Sequence, residues 1–275
     1  NIDAYNKNGT SNNKTLIKLF PQLGLEAQYP LISYSKKSSF LIEPKVQLFI
    51  SPNDYYNDKI RNEDSLELDL NSSNLFNYDR YSGNDRKESG TRLNYGILLK
   101  KINSNKQSLS SSLGQTYNAN KQELFNENSG FKNKRSEIVG NIIFADDTYD
   151  LSYDYRLSES FKLKRNNFNA QTRSKNLSLR LSYIQLKDFA SIENSDTEQI
   201  NYGFNYDIHK SWNIDFYQLR DLAGATYSIP LRTNVGIQFS NECTALQLTY
   251  TRDRSYGVDI PVVTNLSFNI KLFGF

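Results

Sequence analysis

Residues 149–157 read YDLSYDYRL. Tyr149, Leu151, Tyr153, Tyr155 and Leu157 occupy every second position, and Asp150, Ser152, Asp154 and Arg156 fill the gaps. A period of two puts successive side chains on opposite faces of an extended chain. The stretch therefore reads as a strand with one apolar, aromatic face and one polar face. The same alternation recurs at Leu177, Leu179, Leu181 and Tyr183, and again from Ile200 through Tyr202, Phe204 and Tyr206 to Ile208. Near the end, Leu266, Phe268, Ile270 and Leu272 alternate with Ser267, Asn269 and Lys271. No comparable 3.6-residue stripe appears, so no substantial helix is expected.

Working outward, about thirteen strands are expected, at the ~9–11 residues or more that a membrane-crossing strand requires. They fall near 16–31, 39–51, 91–102, 107–117, 135–145, 148–157, 160–172, 176–187, 198–208, 211–220, 225–239, 243–253 and 262–273. Short connections such as SYSKKS, INSNK and DDT mostly alternate with longer ones such as 52–90 and 118–134. Outer-membrane barrels have this pattern, with short periplasmic turns and long outer loops. On that scheme the C-terminus is periplasmic, and Cys243, beside the SNE turn, lies at the periplasmic end. The competing architecture is a soluble sandwich with an aromatic core, whose surface would also hold Asp150, Asp154, Arg156, Arg180, Asn201 and Asn205. A sandwich has no reason to gather its long loops at one end. The expected fold is thus all-β, a transmembrane antiparallel β-barrel. Because thirteen is odd and an open sheet cannot sit in lipid with two unpaired edges, further strands are expected before Asn1.

The composition fits this reading. The chain has 275 residues, 37% hydrophobic, with a mean hydropathy of −0.65, yet it carries 19 Tyr and 16 Phe. Few disordered chains hold so many aromatics. No apolar run is long enough for a transmembrane helix, which leaves barrel strands untouched as a possibility. No signal peptide is visible, and the Asn-rich opening NIDAYNKNGTSNNK reads as cut from a longer protein. Thirty-three basic residues against 30 acidic ones give a net charge of +3, too balanced for a nucleic-acid partner. The single cysteine, Cys243, makes neither an internal disulfide nor a zinc site. The single histidine, His209, sits in the turn-like DIHKSW. No nucleophile elbow, nucleotide loop or HExxH occurs, so no catalytic residue, cofactor or resident metal is expected.

The densest charge lies in residues 73–96, SNLFNYDRYSGNDRKESGTRLNYG. A phosphate-cradling loop is one reading, but no helix follows and acids balance the arginines. A loop over a barrel mouth is the other. Arg80, Arg86 and Arg92 suit lipid phosphates, since a guanidinium fork matches phosphate geometry. They equally suit Asp79, Asp85 and Glu88, which would lock the loop, and the number of acids favours the lock. Upstream, Glu63, Asp64, Glu67 and Asp69 would serve as oxygen ligands for a divalent cation or as a solvated loop face.

Taken in order, several segments resemble one family. They are PQLGLEAQYPL at 21–31, IEPKVQLFISP at 42–52, RNEDS at 61–65, NLF at 74–76, RYSGNDRKESGTR at 80–92 and NYG at 94–96. Later come NECTALQLTYTRD at 241–253 and NLSFNIKLFGF at 265–275. The run resembles LptD, the LPS-assembly proteins that form the outer-membrane lipopolysaccharide translocon of Gram-negative bacteria. The resemblance implies that residues 1–275 are the C-terminal portion of a single large barrel. Residues 52–90 would be a long extracellular loop, and the N-terminal periplasmic domain and the first strands would lie outside this sequence. Its motif residues are Asn62, Glu63, Asp64, Ser65, Arg80, Gly83, Asp85, Arg86, Glu88, Gly90 and Arg92. The implied partners are an LptE-type lipoprotein in the lumen, an LptA-type periplasmic bridge, lipopolysaccharide itself and the BAM machinery during assembly. Lipopolysaccharide would leave through a lateral seam that uses the last strand, with Pro261, Leu266, Phe268, Ile270 and Leu272. Cys243 would form a disulfide with the N-terminal domain; Thr244 stands where many relatives have a second cysteine, so this turn supplies one bridge. The alternative function is a general porin or receptor barrel, which has no reason to carry the 42–96 motifs.

Overall fold

A computed structural model of the chain describes residues 2–6, 15–53, 62–187, 196–223, 229–254 and 262–273, with the backbone alone at 2–6, 15–18 and 229. Every regular element among the described residues is a strand. In chain order they are β1 (Ile2–Asn6), β2 (Thr15–Leu19), β3 (Leu23–Gln28), β4 (Leu31–Tyr34), β5 (Ser38–Ile50), β6 (Arg92–Asn103), β7 (Ser108–Asn118) and β8 (Ile138–Ala145). There follow β9 (Tyr149–Leu157), β10 (Leu163–Arg173), β11 (Leu177–Leu186), β12 (Thr197–His209), β13 (Trp212–Asp221), β14 (Ile229–Ser240), β15 (Thr244–Asp253) and β16 (Val263–Leu272). β1 and β2 pair only with each other. All the others form one 14-stranded antiparallel sheet, in which each strand from β5 to β15 pairs with the next in sequence. This single meander is not two stacked sheets, and it is of the outer-membrane barrel type.

From residue 39 onward the strands lie where the alternation places them. The first expected strand, 16–31, is corrected. Residues 15–19 turn back onto β1, while β3 and β4 both pair with β5. Two prolines explain the division: Pro21 separates β2 from β3, and Pro30 separates β3 from β4, because proline has no N–H to give a ladder. Tyr29 N–H still donates to Pro44 O at 3.2 Å, so β3 and β4 act as one interrupted edge strand. Among the described residues no ladder joins this edge to β16.

Cross-strand register carries the apolar face across the whole sheet. Leu25, Leu48, Leu93 and Tyr117 lie in one row at one side. Trp212, Phe239, Leu246 and Ile270 lie in one row at the other. Side chains on this face, such as Ile97, Leu113, Ile142, Leu181, Leu248 and Phe268, are exposed. A patch of that extent belongs against lipid. The tyrosines it includes satisfy their hydroxyls locally: Tyr95 donates to Gln115 at 2.6 Å and Tyr202 to Gln218 at 2.6 Å.

The buried core lies on the opposite, polar face. Leu70, Leu75, Tyr81, Phe125, Phe131 and Val139 form one cluster, with Phe76 and Leu124 packed against it. All but Val139 come from the two long connections, β5 to β6 and β7 to β8. The long loops therefore fold inward and cap the polar side of β5–β10.

Candidate functional site: a docked plug and a free edge

The plug begins with two interlocked turns. Asn62 and Ser65 close the first: Asn62 Nδ2 donates to Ser65 O at 2.8 Å and Ser65 N–H returns to Asn62 Oδ1 at 3.0 Å. The Asp64 carboxylate accepts the N–H groups of Asn84 and Asp85, each at 3.0 Å to its nearer oxygen. The Asp85 carboxylate in turn accepts the N–H groups of Glu63 at 2.7 Å and Asp64 at 3.0 Å. Each acid thus satisfies the other turn's backbone, and the N–H of Asp85 above all, then those of Asn84 and the Ser65 hydroxyl, hold the Asp64 carboxyl below its ordinary range. Gly83 permits the approach. Its φ is +78°, and a Cβ there would stand 2.4 Å from Asp64 O.

Below this junction Glu88 lies between two arginines. Arg80 NH1 is 3.4 Å from Glu88 Oε1 and Arg92 NH1 is 3.4 Å from Glu88 Oε2, with all three side chains 0% exposed. Arg80 NH2 also donates to Asn94 Oδ1 at 2.6 Å and Leu75 O at 3.2 Å. Arg92 NH2 donates to Asn77 O at 3.3 Å and to Tyr78 O. Each guanidinium lies over an aromatic ring at 4.3 Å, Arg80 over Phe131 and Arg92 over Phe49. Asn94 relays the contact into the sheet: it donates to Gln47 Oε1 at 2.9 Å and accepts from Thr116 Oγ1 at 2.8 Å. Burial pushes the Arg80 pKa down to about 10 against the pull of Glu88. It also raises the Tyr81 hydroxyl, with Glu67 and Glu88 adding to the shift.

A second ionic junction fixes the plug to β9 and β10. Asp69 pairs with Arg156 and, at 3.1 Å, with Arg165. Arg156 reaches Glu137 at 2.8 Å and donates to Ser129 O at 3.0 Å and Asn128 O at 3.1 Å. One β9 side chain therefore holds both long connections. Their aromatic contact is Tyr81 against Phe125, centroids 4.7 Å apart, with Phe131 5.2 Å beyond. Glu67 accepts the Asn126 N–H at 2.9 Å. The acids read as possible cation ligands are thus spread over separate partners. Among the described residues no group of three or more His, Cys, Asp or Glu stands together as a metal site. Of the two readings of the arginines, ion pairing with an acid describes Arg80 and Arg92.

At the far side of the sheet, β16 is an edge. Its Leu266, Phe268, Ile270 and Leu272 lie in register with Tyr250, Leu248, Leu246 and Thr244 of β15 and are exposed. Pro261 lies outside the described residues. Cys243 is exposed in the short turn before β15, and its N–H donates to Asn241 Oδ1 at 3.0 Å.

Residues 1–212 match the family described as LptD, LPS transport system D. The chain belongs to the LptD family. No curated protein matches it. LptD-type function is lipopolysaccharide transport and assembly at the outer membrane, and the family is not one of enzymes. The matched span holds the whole plug, from Asn62 through Arg92 and on to Glu137, whereas Cys243 and β16 lie beyond it. Within this LptD-family plug, sequence reasoning found the first long loop and its ion pairing. It marked 118–134 as a long connection but missed that this loop packs against the first, and missed its anchor Arg156. Leu124, Phe125 and Phe131 in a largely polar connection were the available signal.

Proposed function

We propose that β16 is one lip of a lateral seam through which lipopolysaccharide passes from the barrel into the membrane. The observation that carries this reading is the edge of β16, which among the described residues pairs only with β15, in an LptD-family sheet. An edge strand presents free N–H and C=O groups, which in lipid demand a partner. Ladder bonds worth about 0.5–1.5 kcal/mol net each would hold such a partner closed yet let the pair part. The partner strand lies in the remainder of the barrel, of which residues 1–275 form the C-terminal portion.

In the same reading the long-loop end faces outward, and the short turns and the C-terminus face the periplasm. Cys243, exposed at that end, then meets an oxidising compartment and a cysteine of an N-terminal periplasmic domain. That domain receives lipopolysaccharide from an LptA-type bridge. An LptE-type lipoprotein fills lumen that the plug leaves open, and the BAM machinery inserts the barrel. The motif residues from Asn62 to Arg92 keep the outer mouth closed by docking the plug.

The test is site-specific photocrosslinking in the full-length protein, with a photoreactive residue placed in turn at positions 264 to 272. Lipopolysaccharide adducts concentrated on β16 are expected, against few at outward positions of β11. A β16 that yields no adduct at any position sinks the seam.

A further inference from the structure

Beyond lipopolysaccharide transport, we propose that the short-turn rim over β4–β7 binds the phosphate headgroup of an anionic phospholipid. Four lysines meet there. Lys36 and Lys37 form the turn between β4 and β5, Lys106 lies in the turn between β6 and β7, and Lys101 is on β6 just below it. All four are exposed. The two turns touch, since Ser104 N–H donates to Lys37 O at 2.9 Å.

Lys101 commits the patch to a lipid. It sits on the apolar face, in register with Phe40 on one side and Leu109 on the other, both exposed. A lysine there lays its methylene stem along the lipid-facing band and lifts its ammonium to the headgroup plane. Lys36, Lys37 and Lys106 extend the charge from that plane outward. The acids near them are Asp146, hydrogen-bonded to Gln107, and Asp147, 3.6 Å from Lys106 with the two side chains 78% and 74% exposed. A pair so exposed neutralises little. Elsewhere at this end the turns carry Lys175, Lys210 or Glu242. Basic and acidic residues number 33 and 30 over the chain, so the concentration is one of position and not of composition.

Clustered lysines near an anionic lipid surface each strengthen binding on the order of fivefold, and salt screens the effect. The experiment takes the full-length protein in detergent and measures retained phosphatidylglycerol against phosphatidylcholine by native mass spectrometry. Four variants are compared: K36Q/K37Q/K101Q/K106Q, its charge-keeping Arg counterpart, K101Q alone, and K175Q/K210Q as a control at the same rim. The wild type, the Arg variant and the control are expected to prefer phosphatidylglycerol. The quadruple Gln variant loses that preference, and K101Q loses part of it. An unaltered preference in the quadruple Gln variant, or none in the wild type, overturns the proposal. Displacement of phosphatidylglycerol by millimolar inorganic phosphate would assign the lysines to free phosphate and overturn it as well.

Discussion

Glu88→Gln tests whether buried charge holds the plug. The substitution keeps the volume of the side chain and removes its charge. Two guanidiniums, each 3.4 Å away and fully enclosed, then lose the carboxylate they share. Breaking a buried pair by deleting one partner costs about 3–5 kcal/mol, because the surviving charge stays desolvated. At the lower figure the ratio of undocked to docked plug rises roughly 150-fold. The Arg80 pKa, already pushed down to about 10 by burial, falls further, since Glu88 is the largest influence raising it. The strand ladders contain no Glu88 atom, so the sheet survives and the loss is local. The assay is limited proteolysis of the full-length protein in detergent, read at cuts within residues 62–91. Under fast opening the rate follows the open population. Mobility on unheated gels reports the barrel separately. The triple variant R80M/E88L/R92M, which replaces the whole buried cluster by apolar groups, is expected to recover much of the protection. A Glu88→Gln protein cleaved within about twofold of wild type would refute the claim that this buried triad holds the plug.

Two further outcomes follow from the same geometry. A Cβ at Gly114 would lie 2.3 Å from Leu75 Cδ2 and 2.8 Å from Tyr95 O, so Gly114→Val lifts Leu75 off the sheet; overpacking of this kind costs about 1–3 kcal/mol, seen as faster cleavage of the plug with the barrel intact. The lowered Asp64 carboxyl contributes stability that is fully present above its ordinary value of 3.8 and lost as pH falls below that through its folded value. Plug protection is therefore expected to be flat from neutral pH to about 4 and to fall in more acid solution. Pepsin cleavage at graded pH reads this, and an Asp64→Asn protein that shows the same acid limb would refute the assignment.

The strands were legible because a sheet between lipid and water must alternate. YDLSYDYRL states that requirement in nine residues, and β9 spans 149–157 as read. The early strand misled because Pro21 and Pro30 punctuate an otherwise apolar run, and pairing partners are not written in local pattern. Arg80, Arg86 and Arg92 among Asp79, Asp85 and Glu88 announced an ionic lock, but not that Arg80 and Arg92 would share one buried Glu88. Burial depends on Phe49 and Phe131, distant in sequence, closing over the guanidiniums. Arg156 was seen only as a polar position on β9. Its role needs Asp69 and Glu137, which lie in different loops.

The plug also explains how so polar a chain spans a membrane. Leu70, Leu75, Tyr81, Phe125 and Phe131 of the two long connections bury against one another on the polar side, while the described strands supply the apolar face. The consequence is an asymmetric lumen. Over β5–β10 the polar face is covered and cross-tied by Asn94, Arg156 and Arg165. Over β12–β15 it is a more open face where amide and hydroxyl pairs predominate, Asn205 with Asn213 at 2.9 and 2.8 Å and Thr251 donating to Asn234 at 2.7 Å, beside one exposed ion pair, Arg232 with Asp253 at 2.5 Å. Neutral pairs are weaker than the charge-assisted bonds on the covered side, and an ion pair as exposed as Arg232 with Asp253 adds little. The free edge, β16, belongs to the uncovered half. A seam placed there would open and close by breaking ladder bonds at the edge without straining the ion pairs that hold the plug. The same seam beside β5 would have to move the plug each time it opened.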